Sequence, residues 1–269
     1  MSSSVVEVRG VGKRFGRRDE AVEAIRSVDL SLASTDFVAL VGPSGCGKST
    51  LLNIVGGLIP PSRGGVEVKG HPVKGPPPEV GMMFQNPVLL DWRTARDNVL
   101  LPIEIRGGRR AVEAARRHAD ELLELVGLAG FEARYPGELS GGMQQRVAMC
   151  RMLIADPEVL LLDEPFGALD ELTREHMNVE LARIFSAAPK AALFVTHNIQ
   201  EAVFLSDRVY VITPRPGRVA GVVEVDLPRP RSLDLVTTEP FQRLAREVRR
   251  LLDVGAESDP SDLPSGKTV

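Results

Sequence analysis

The sequence predicts an α/β fold with a mostly parallel sheet, an N-terminal antiparallel β portion and a helical subdomain inserted into the core. Strand and helix patterns alternate along most of the chain, as in parallel sheets covered by helices. Phe37–Val41 and Ala191–Thr196 are continuous apolar runs, which indicate strands buried on both faces. No strand pattern occurs from about residue 88 to 155, so this span is the predicted helical insertion.

The individual elements follow from apolar periodicity and from turn residues. Strands are predicted at residues 5–8, 28–32, 37–41, 66–68, 80–84, 159–162, 191–196, 208–213 and 217–226. Helices are predicted at residues 51–55, 109–128, 170–185 and 241–252. We therefore expect one domain over residues 5–255, and a disordered tail over 256–269, where few residues could be buried.

Composition limits the classes of function. The chain has 269 residues with 43% hydrophobic residues and a formal net charge of −3, which gives no electrostatic reason to expect nucleic acid. No run approaches the roughly 20 apolar residues of a membrane span, and the N-terminus lacks a secretion signal. Two cysteines, Cys46 and Cys150, form no disulfide framework or metal cluster, so a reducing cytoplasm and no metal beyond Mg²⁺ are expected.

A nine-residue segment between a predicted strand and a predicted helix has the pattern of a P-loop. Its glycines let the backbone fold around phosphates, and the helix behind it directs free N–H groups toward the anion. Its lysine adds a charge for the β- and γ-phosphates, and its serine is placed to bind Mg²⁺. The sequence therefore predicts a P-loop NTPase core. The nine residues are Gly42, Pro43, Ser44, Gly45, Cys46, Gly47, Lys48, Ser49 and Thr50.

Two carboxylates, Asp163 and Glu164, follow the buried apolar run that ends at Leu162. A carboxylate at this position can hold Mg²⁺, and a second one beside it can take a proton from an attacking water. The alternative is a solvated pair at a strand end. Gly42, Gln85, Asp163 and His197 all lie at or just after the carboxyl end of a predicted strand, where ligands of parallel sheets bind.

Residues 139–146, Leu-Ser-Gly-Gly-Met-Gln-Gln-Arg, form a second segment suited to phosphate binding, here called the signature segment. Ser140 is a typical N-cap, and Gly141 and Gly142 allow close approach of a ligand to the backbone. The following helix again points its positive end outward. The simpler interpretation is a capped helix without a ligand.

Together these segments resemble the ATP-binding subunits of ABC transporters. The P-loop, the signature segment and Leu-Leu-Leu-Asp-Glu-Pro at residues 160–165 are specific to that family, and the resemblance extends over about residues 5–255. It is strongest for importer ATPases of nitrate, sulfonate, taurine and similar solutes. The segments that indicate this subfamily are residues 164–170, 196–197, 201–208, 215–218 and 227–231.

The resemblance implies roles for individual residues. Phe15 would stack on adenine, although a phenylalanine of the core or a strand edge is the alternative. Gln85 would contact Mg²⁺ and the attacking water, Asp163 would hold Mg²⁺, and Glu164 would be the general base. His197 would touch the γ-phosphate, and Asp170 would communicate across a dimer. Ser140, Gly141, Gly142 and Gln144 would complete the ATP site of the partner in a head-to-tail homodimer.

The resemblance also implies partners and a location. An integral-membrane permease would bind near Gln85, and a solute-binding protein would act through the permease, which places the chain at the cytoplasmic face of the membrane. Residues 88–92, with the single tryptophan Trp92, either line the docking groove or anchor the helical subdomain. A soluble ABC-type ATPase with a non-transport role and a non-enzymatic scaffold are the alternative functions. Such soluble relatives usually have a coiled-coil insertion or two cassettes, and this chain has neither.

Overall fold

The computed structural model describes residues 4–16, 21–167, 169–187 and 189–257. These residues form one ten-stranded sheet with helices packed on it. Strands β1 to β10 are Ser4–Phe15, Val22–Ala33, Phe37–Val41, Arg63–Val68, His71–Pro72, Val80–Met83, Val159–Asp163, Ala191–Thr196, Arg208–Ile212 and Gly217–Glu224. They lie in the order β5-β4-β1-β2-β10-β9-β3-β8-β7-β6. The block from β9 to β6 is parallel, whereas β1, β2, β4 and β5 pair antiparallel. The α/β class with an antiparallel N-terminal portion is confirmed.

Six α-helices lie within the described residues. Helices α1 to α6 are Lys48–Val55, Ala95–Leu125, Gly141–Leu153, Glu171–Ala187, Ile199–Leu205 and Glu239–Glu257. Helices α2 and α3 fall between β6 and β7 and pack on each other, in the span without a predicted strand. Of the predicted tail, residues 256–257 belong to α6, and residues 258–269 lie outside the described part of the chain.

The central strands are buried on both faces of the sheet, which explains their unbroken apolar runs. In β3, Ala39 and Val41 belong to the core on the side of α2 to α6, whereas Val38 and Leu40 belong to the core that includes α1. Phe37 packs edge-on against Phe185 and Phe194, at ring-centroid distances of 4.6 and 5.8 Å. This packing fixes β3, and with it the start of the P-loop.

The first two strands are longer than predicted. β1 and β2 each span 12 residues, against predictions of residues 5–8 and 28–32. Their pairing contains several register shifts, among them one between Val8 and Val11. Such irregularities disturb the two-residue alternation on which the sequence prediction depends, so only the regular stretches were recognisable.

The long helix α2 begins 14 residues before the predicted start at residue 109. Thr94 caps it by accepting a 3.2 Å hydrogen bond from the backbone N–H of Asp97. Pro102 lies inside the helix, and Gly108 has non-helical angles at a kink (φ 63°). Proline and paired glycines normally end helices, which is why the sequence indicated only the second half.

Candidate functional site

The P-loop joins β3 to α1 at the carboxyl edge of the parallel strands, as predicted. Gly47 has a φ of 102°, and a Cβ there would lie 2.8 Å from Ile25 Cγ1 and 2.9 Å from the Ala24 carbonyl oxygen. Both its conformation and its surroundings therefore require glycine. The first turn of α1 follows directly, so its free backbone N–H groups face the space enclosed by the loop.

Lys48 is held in place by the loop that it follows. Lys48 is only 5% exposed, and its ammonium group donates to the carbonyl oxygens of Gly42 at 2.7 Å and Pro43 at 2.9 Å. No carboxylate pairs with it among the described residues. Its positive charge is therefore not neutralised by an ion pair within this part of the chain, and it can attract an anion to the loop.

Ser49 and Asp163 meet at the base of the site, although they are 114 positions apart in the chain. The Ser49 hydroxyl donates to Asp163 Oδ1 at 2.9 Å. Burial raises the pKa of Asp163, and the Ser49 hydrogen bond opposes that shift. A buried carboxylate beside a hydroxyl and close to an anion site offers the oxygen ligands that Mg²⁺ prefers. The two side chains fit a Mg²⁺ site.

Glu164 turns away from Asp163 toward His197. Its φ of 44° is unusual for a residue other than glycine, and its N–H donates to the Val195 carbonyl oxygen at 2.9 Å. Its Oε2 lies 3.2 Å from His197 Nδ1. Backbone strain of this kind persists only where neighbouring structure maintains it. The result is two adjacent carboxylates with separate partners, one toward Ser49 and the other toward His197.

The segment after His197 is fixed by a hydrogen-bond network. Asn198 caps α5 by accepting from the backbone N–H groups of Gln200 at 2.8 Å and Glu201 at 3.2 Å. The Thr196 hydroxyl donates to the buried Glu201 carboxylate at 2.5 Å. Burial raises the pKa of Glu201. These contacts set the backbone direction on both sides of His197, whose own side chain is 59% exposed.

A cavity of about 510 Å³ brings the predicted residues together. Phe15 lies at its edge, 44% exposed, with Lys13 Nζ 5.1 Å from the ring centroid. This exposure is incompatible with the alternative in which Phe15 belongs to the core. The predicted residues that line the cavity are Phe15, Ser44, Gly45, Gly47, Lys48, Ser49, Thr50, Gln85 and Glu164.

Other predicted residues support the cavity without lining it. Gly42, Pro43 and Cys46 contribute backbone or lie beneath the loop, Asp163 reaches Ser49, and His197 reaches Glu164. Three lining residues were not predicted: Val22, Ala24 and Arg215. Arg215 Nε and Nη2 both donate to the Gly45 carbonyl oxygen at 3.1 Å. Residues 215–218 match a family pattern, but that pattern alone assigns them no role in the site.

The signature segment does not line this cavity. Ser140 is exposed and caps α3, accepting from the Met143 N–H at 3.3 Å. Gln144 donates to the carbonyl oxygens of Pro136 at 2.9 Å and Leu139 at 3.3 Å, so its side chain braces the helix start. Gly141 and Asp170 are exposed as well. Ser140, Gly141, Gly142, Gln144 and Asp170 therefore do not line the P-loop cavity of the same copy.

Both cysteines are buried, and we expect neither to be reactive. Burial raises the pKa of Cys150 to about 12 and also raises the pKa of the Cys46 thiol. At about pH 8 the thiolate fraction of Cys150 would be near one in ten thousand, and the thiolate is the reactive form. A colorimetric thiol titration should detect neither cysteine in the native protein and both in guanidinium chloride. Rapid native labelling of Cys150 would contradict its burial against the Leu122 carbonyl.

A sheet of this order with a P-loop and an adjacent carboxylate pair defines a P-loop NTPase. Comparison with protein families adds that a model described as ABC transporter matches residues 25–167. The aliphatic sulfonates import ATP-binding protein SsuB of Bacillus cereus is 39% identical over 250 residues, which are 93% of this chain and 96% of that protein. The nitrate import ATP-binding protein NrtD of Synechococcus elongatus is 44% identical, over 86% of this chain and 84% of its own length.

Solved structures agree with the sequence comparison. A dimeric post-hydrolysis state of the ATP-binding cassette MJ0796, bound to ADP and Pi, superimposes with a TM-score of 0.75 at 32% identity. The match covers 83% of this chain and all of that one. The chain belongs to the ABC transporter family.

It is accordingly an ATPase whose hydrolysis of ATP is coupled to transport, with Mg²⁺ as the partner ion of the nucleotide. When bound, Mg²⁺ neutralises charge on the phosphates, and Ser49 and Asp163 are the side chains that fit it.

Within the described residues, no helix combines the length and the apolar character that crossing a bilayer demands.

Proposed function

We propose that this chain is the ATP-hydrolysing subunit of an importer for a small anion or organic solute such as nitrate, a sulfonate or taurine. The names of its relatives support this solute class: one imports aliphatic sulfonates and another imports nitrate. The subunit would act at the cytoplasmic face of the membrane, bound to a separate permease, and a solute-binding protein would deliver cargo to that permease.

The observation that supports ATP hydrolysis most directly is that the two adjacent carboxylates have different partners. Asp163 bonds to Ser49 and would hold Mg²⁺, whereas Glu164 lines the cavity beside His197 and would accept the proton of the attacking water. Gln85 lines the same cavity and would help to position water and metal. His197 would orient Glu164 and contact the γ-phosphate.

The two phosphate-binding segments support a head-to-tail homodimer. In one copy the signature segment is absent from the P-loop cavity, and its capping residue Ser140 is exposed. A nucleotide bound to the P-loop of one copy would be covered by Ser140, Gly141 and Gly142 of the other. Charge on the γ-phosphate would then stabilise the closed dimer, and hydrolysis would remove that stabilisation.

An apolar groove beside Gln85 supports docking of the permease. A cavity of about 460 Å³ lies between β6, α2 and α3, lined by residues that include Met82, Val88 and Ile105. Val88 and Ile105, which line this cavity, are 62% and 76% exposed. Trp92 does not line it but follows Val88 by four positions and is 74% exposed. Exposed apolar side chains that share a cavity are typical of protein-binding sites. We propose that a cytoplasmic helix of the permease fills this groove. The exposure of Trp92 is incompatible with a role as core anchor.

Replacing Trp92 with alanine should weaken capture of the permease without changing ATP binding. Because Trp92 is 74% exposed, the free energy of unfolding should change by less than about 0.5 kcal/mol. The measurement is the amount of integral membrane protein that co-purifies with a tagged chain from detergent-solubilised membranes. Phe131→Ala, at an exposed aromatic outside both the groove and residues 88–92, is the matched control.

The same purification tests the proposed function as a whole. We expect an integral membrane protein to co-purify with the wild type, and reconstituted vesicles to take up nitrate, a sulfonate or taurine only with ATP present. Recovery of only soluble partners would instead support a non-transport ATPase. An equal loss of permease and of ATP affinity in Trp92→Ala would contradict the docking role of the groove.

A further inference from the structure

The backbone just after Gln85 is strained. Val88 has a φ of 46°, in the left-handed region that β-branched residues rarely adopt. Its side chain is 62% exposed, so its packing does little to enforce this conformation. Strained residues persist only where other contacts hold them, and such residues cluster at switch regions. Another group must therefore maintain the backbone of residues 85–92, here called the glutamine loop.

Arg151 holds that backbone. Its Nη1 donates to the Val88 carbonyl oxygen at 2.8 Å, and its Nη2 donates to the Pro87 carbonyl oxygen at 2.6 Å. The planar guanidinium fork suits two successive carbonyl groups, and a lysine ammonium does not reproduce this geometry. No carboxylate pairs with Arg151 among the described residues, and burial lowers its pKa. The guanidinium group of Arg151 therefore bonds to the backbone of the glutamine loop.

Arg151 belongs to the helix that begins at the signature segment. Helix α3 spans Gly141–Leu153, with Ser140 as its N-cap. A second side chain of α3, Gln145, donates to the Gln85 carbonyl oxygen at 3.2 Å and is 2% exposed. Three backbone carbonyl groups of the glutamine loop are therefore bonded to two side chains of one helix. The loop and α3 should consequently move together.

We propose that Arg151 is a positioning residue that couples the glutamine loop to the signature helix. Gln85 reaches the P-loop cavity of its own copy, whereas Ser140 begins the helix on which Arg151 lies. A change at one nucleotide would thereby displace both the loop and the surface offered to the second copy. The proposal rests on the proposed function only in assigning that surface to the partner. The bonds of Arg151 are intramolecular and exist in a single copy.

Trp92 is the natural reporter for this coupling, because it is the only tryptophan and lies exposed in the glutamine loop. The experiment uses the purified full-length chain with Glu164→Gln to prevent turnover. Trp92 emission and acrylamide quenching are followed during titration with MgATP. We expect the parent to show a saturable change, and Arg151→Met to lose most of it while the ATP dissociation constant shifts by about twofold or less. No permease is present, so failure of the docking proposal leaves this test unaffected.

Arg229→Met is the matched control. Arg229 lies outside the signature segment and outside the P-loop cavity, and its Nη2 donates to the Leu205 carbonyl oxygen and to Asp207 Oδ1, each at 2.8 Å. This variant removes a partly buried guanidinium that bonds to a backbone carbonyl group, and it should retain the Trp92 response. Arg151→Lys keeps the charge and the aliphatic stem, and should show a reduced response because one ammonium replaces a two-pronged fork. It also provides a folded variant if Arg151→Met is unstable.

The substitution Val88→Gly distinguishes two roles of Arg151, namely positioning the glutamine loop and helping the loop to fold. Glycine adopts positive φ without strain, so adding Val88→Gly to Arg151→Met should raise the melting temperature of that variant. If Arg151 positions the loop, the Trp92 response should remain lost although stability returns. Recovery of the response together with stability would overturn the proposal, since Arg151 would then only help the loop to fold. A full response in Arg151→Met, or none in the parent, would overturn it as well.

Discussion

Glu164→Gln is expected to lower the rate of ATP hydrolysis by about 10²- to 10⁴-fold, the range that a general base contributes. Glutamine keeps the size of the side chain and its contact with His197, but it cannot accept a proton from water. ATP affinity should be retained because the amide adds no bulk to the cavity that Glu164 lines. ATP should then drive formation of a stable dimer, since the γ-phosphate is no longer removed.

Hydrolysis is measured as phosphate release at saturating MgATP, and dimer formation by size-exclusion chromatography with and without ATP. Glu158→Gln is the matched control: this glutamate precedes the same strand, is exposed and pairs with Lys69 at 2.8 Å. It should hydrolyse ATP at the parent rate. Undiminished hydrolysis by Glu164→Gln would exclude Glu164 as the base, and a monomer under all conditions would contradict the nucleotide-closed dimer.

The P-loop could be predicted from sequence because its determinants are local. Three glycines, a lysine and three hydroxyl residues occupy seven of nine consecutive positions, and the strand before them is an unbroken apolar run. The positive φ of Gly47 confirms why glycine is needed there. Asp163 and Gln85 were also recognisable, since each lies at or just after the end of a short strand.

Contacts between distant segments could not be predicted in the same way. Arg215 reaches the Gly45 carbonyl oxygen across 170 positions of sequence, and a Cβ on Gly217 would lie 2.1 Å from the Cys46 carbonyl oxygen. Nothing in the local pattern of residues 215–218 states which loop they meet. Val22 and Ala24 line the cavity because β2 continues beyond its regular half, which the alternation did not reveal.

The surface role of residues 88–92 was likewise undetermined by sequence. A run of apolar residues with one tryptophan is compatible with a core or with a binding groove. The exposure of Val88 and Trp92 excludes the core, and the binding groove stays a proposal. The positive φ of Val88 gave no sequence signal, because valine is among the residues least expected there.

The second large effect is expected from mixing two inactive variants, Lys48→Met and Ser140→Arg. Lys48→Met removes the cation held at 2.7 Å from the Gly42 carbonyl oxygen, and we expect about a 10²-fold or greater loss of activity. Ser140→Arg places a bulky side chain on an exposed position outside the P-loop cavity of the same copy. The Ser140→Arg substitution leaves the P-loop of its own copy intact, so we expect it to abolish hydrolysis by obstructing the ATP site of the partner copy.

The mixture should regain activity if each nucleotide is bound by two copies. In a heterodimer, the intact P-loop of the Ser140→Arg copy faces the intact signature segment of the Lys48→Met copy, whereas the other site carries both defects. Random pairing makes half of the dimers mixed, so the recovered rate should be about a quarter of the wild-type rate if the sites are independent. Phosphate release is measured against the total chain concentration.

Two controls make this recovery interpretable. A chain that carries both substitutions should gain nothing from mixing with Lys48→Met or with Ser140→Arg, because none of those heterodimers contains a complete site. Loss of the Ser140 cap should cost about 1 kcal/mol of stability, so thermal unfolding of each variant shows whether α3 is retained. If heterodimers form but hydrolysis stays at the level of the single variants, then, for independent sites, Lys48 and Ser140 of one copy serve the same nucleotide, and the head-to-tail arrangement is wrong.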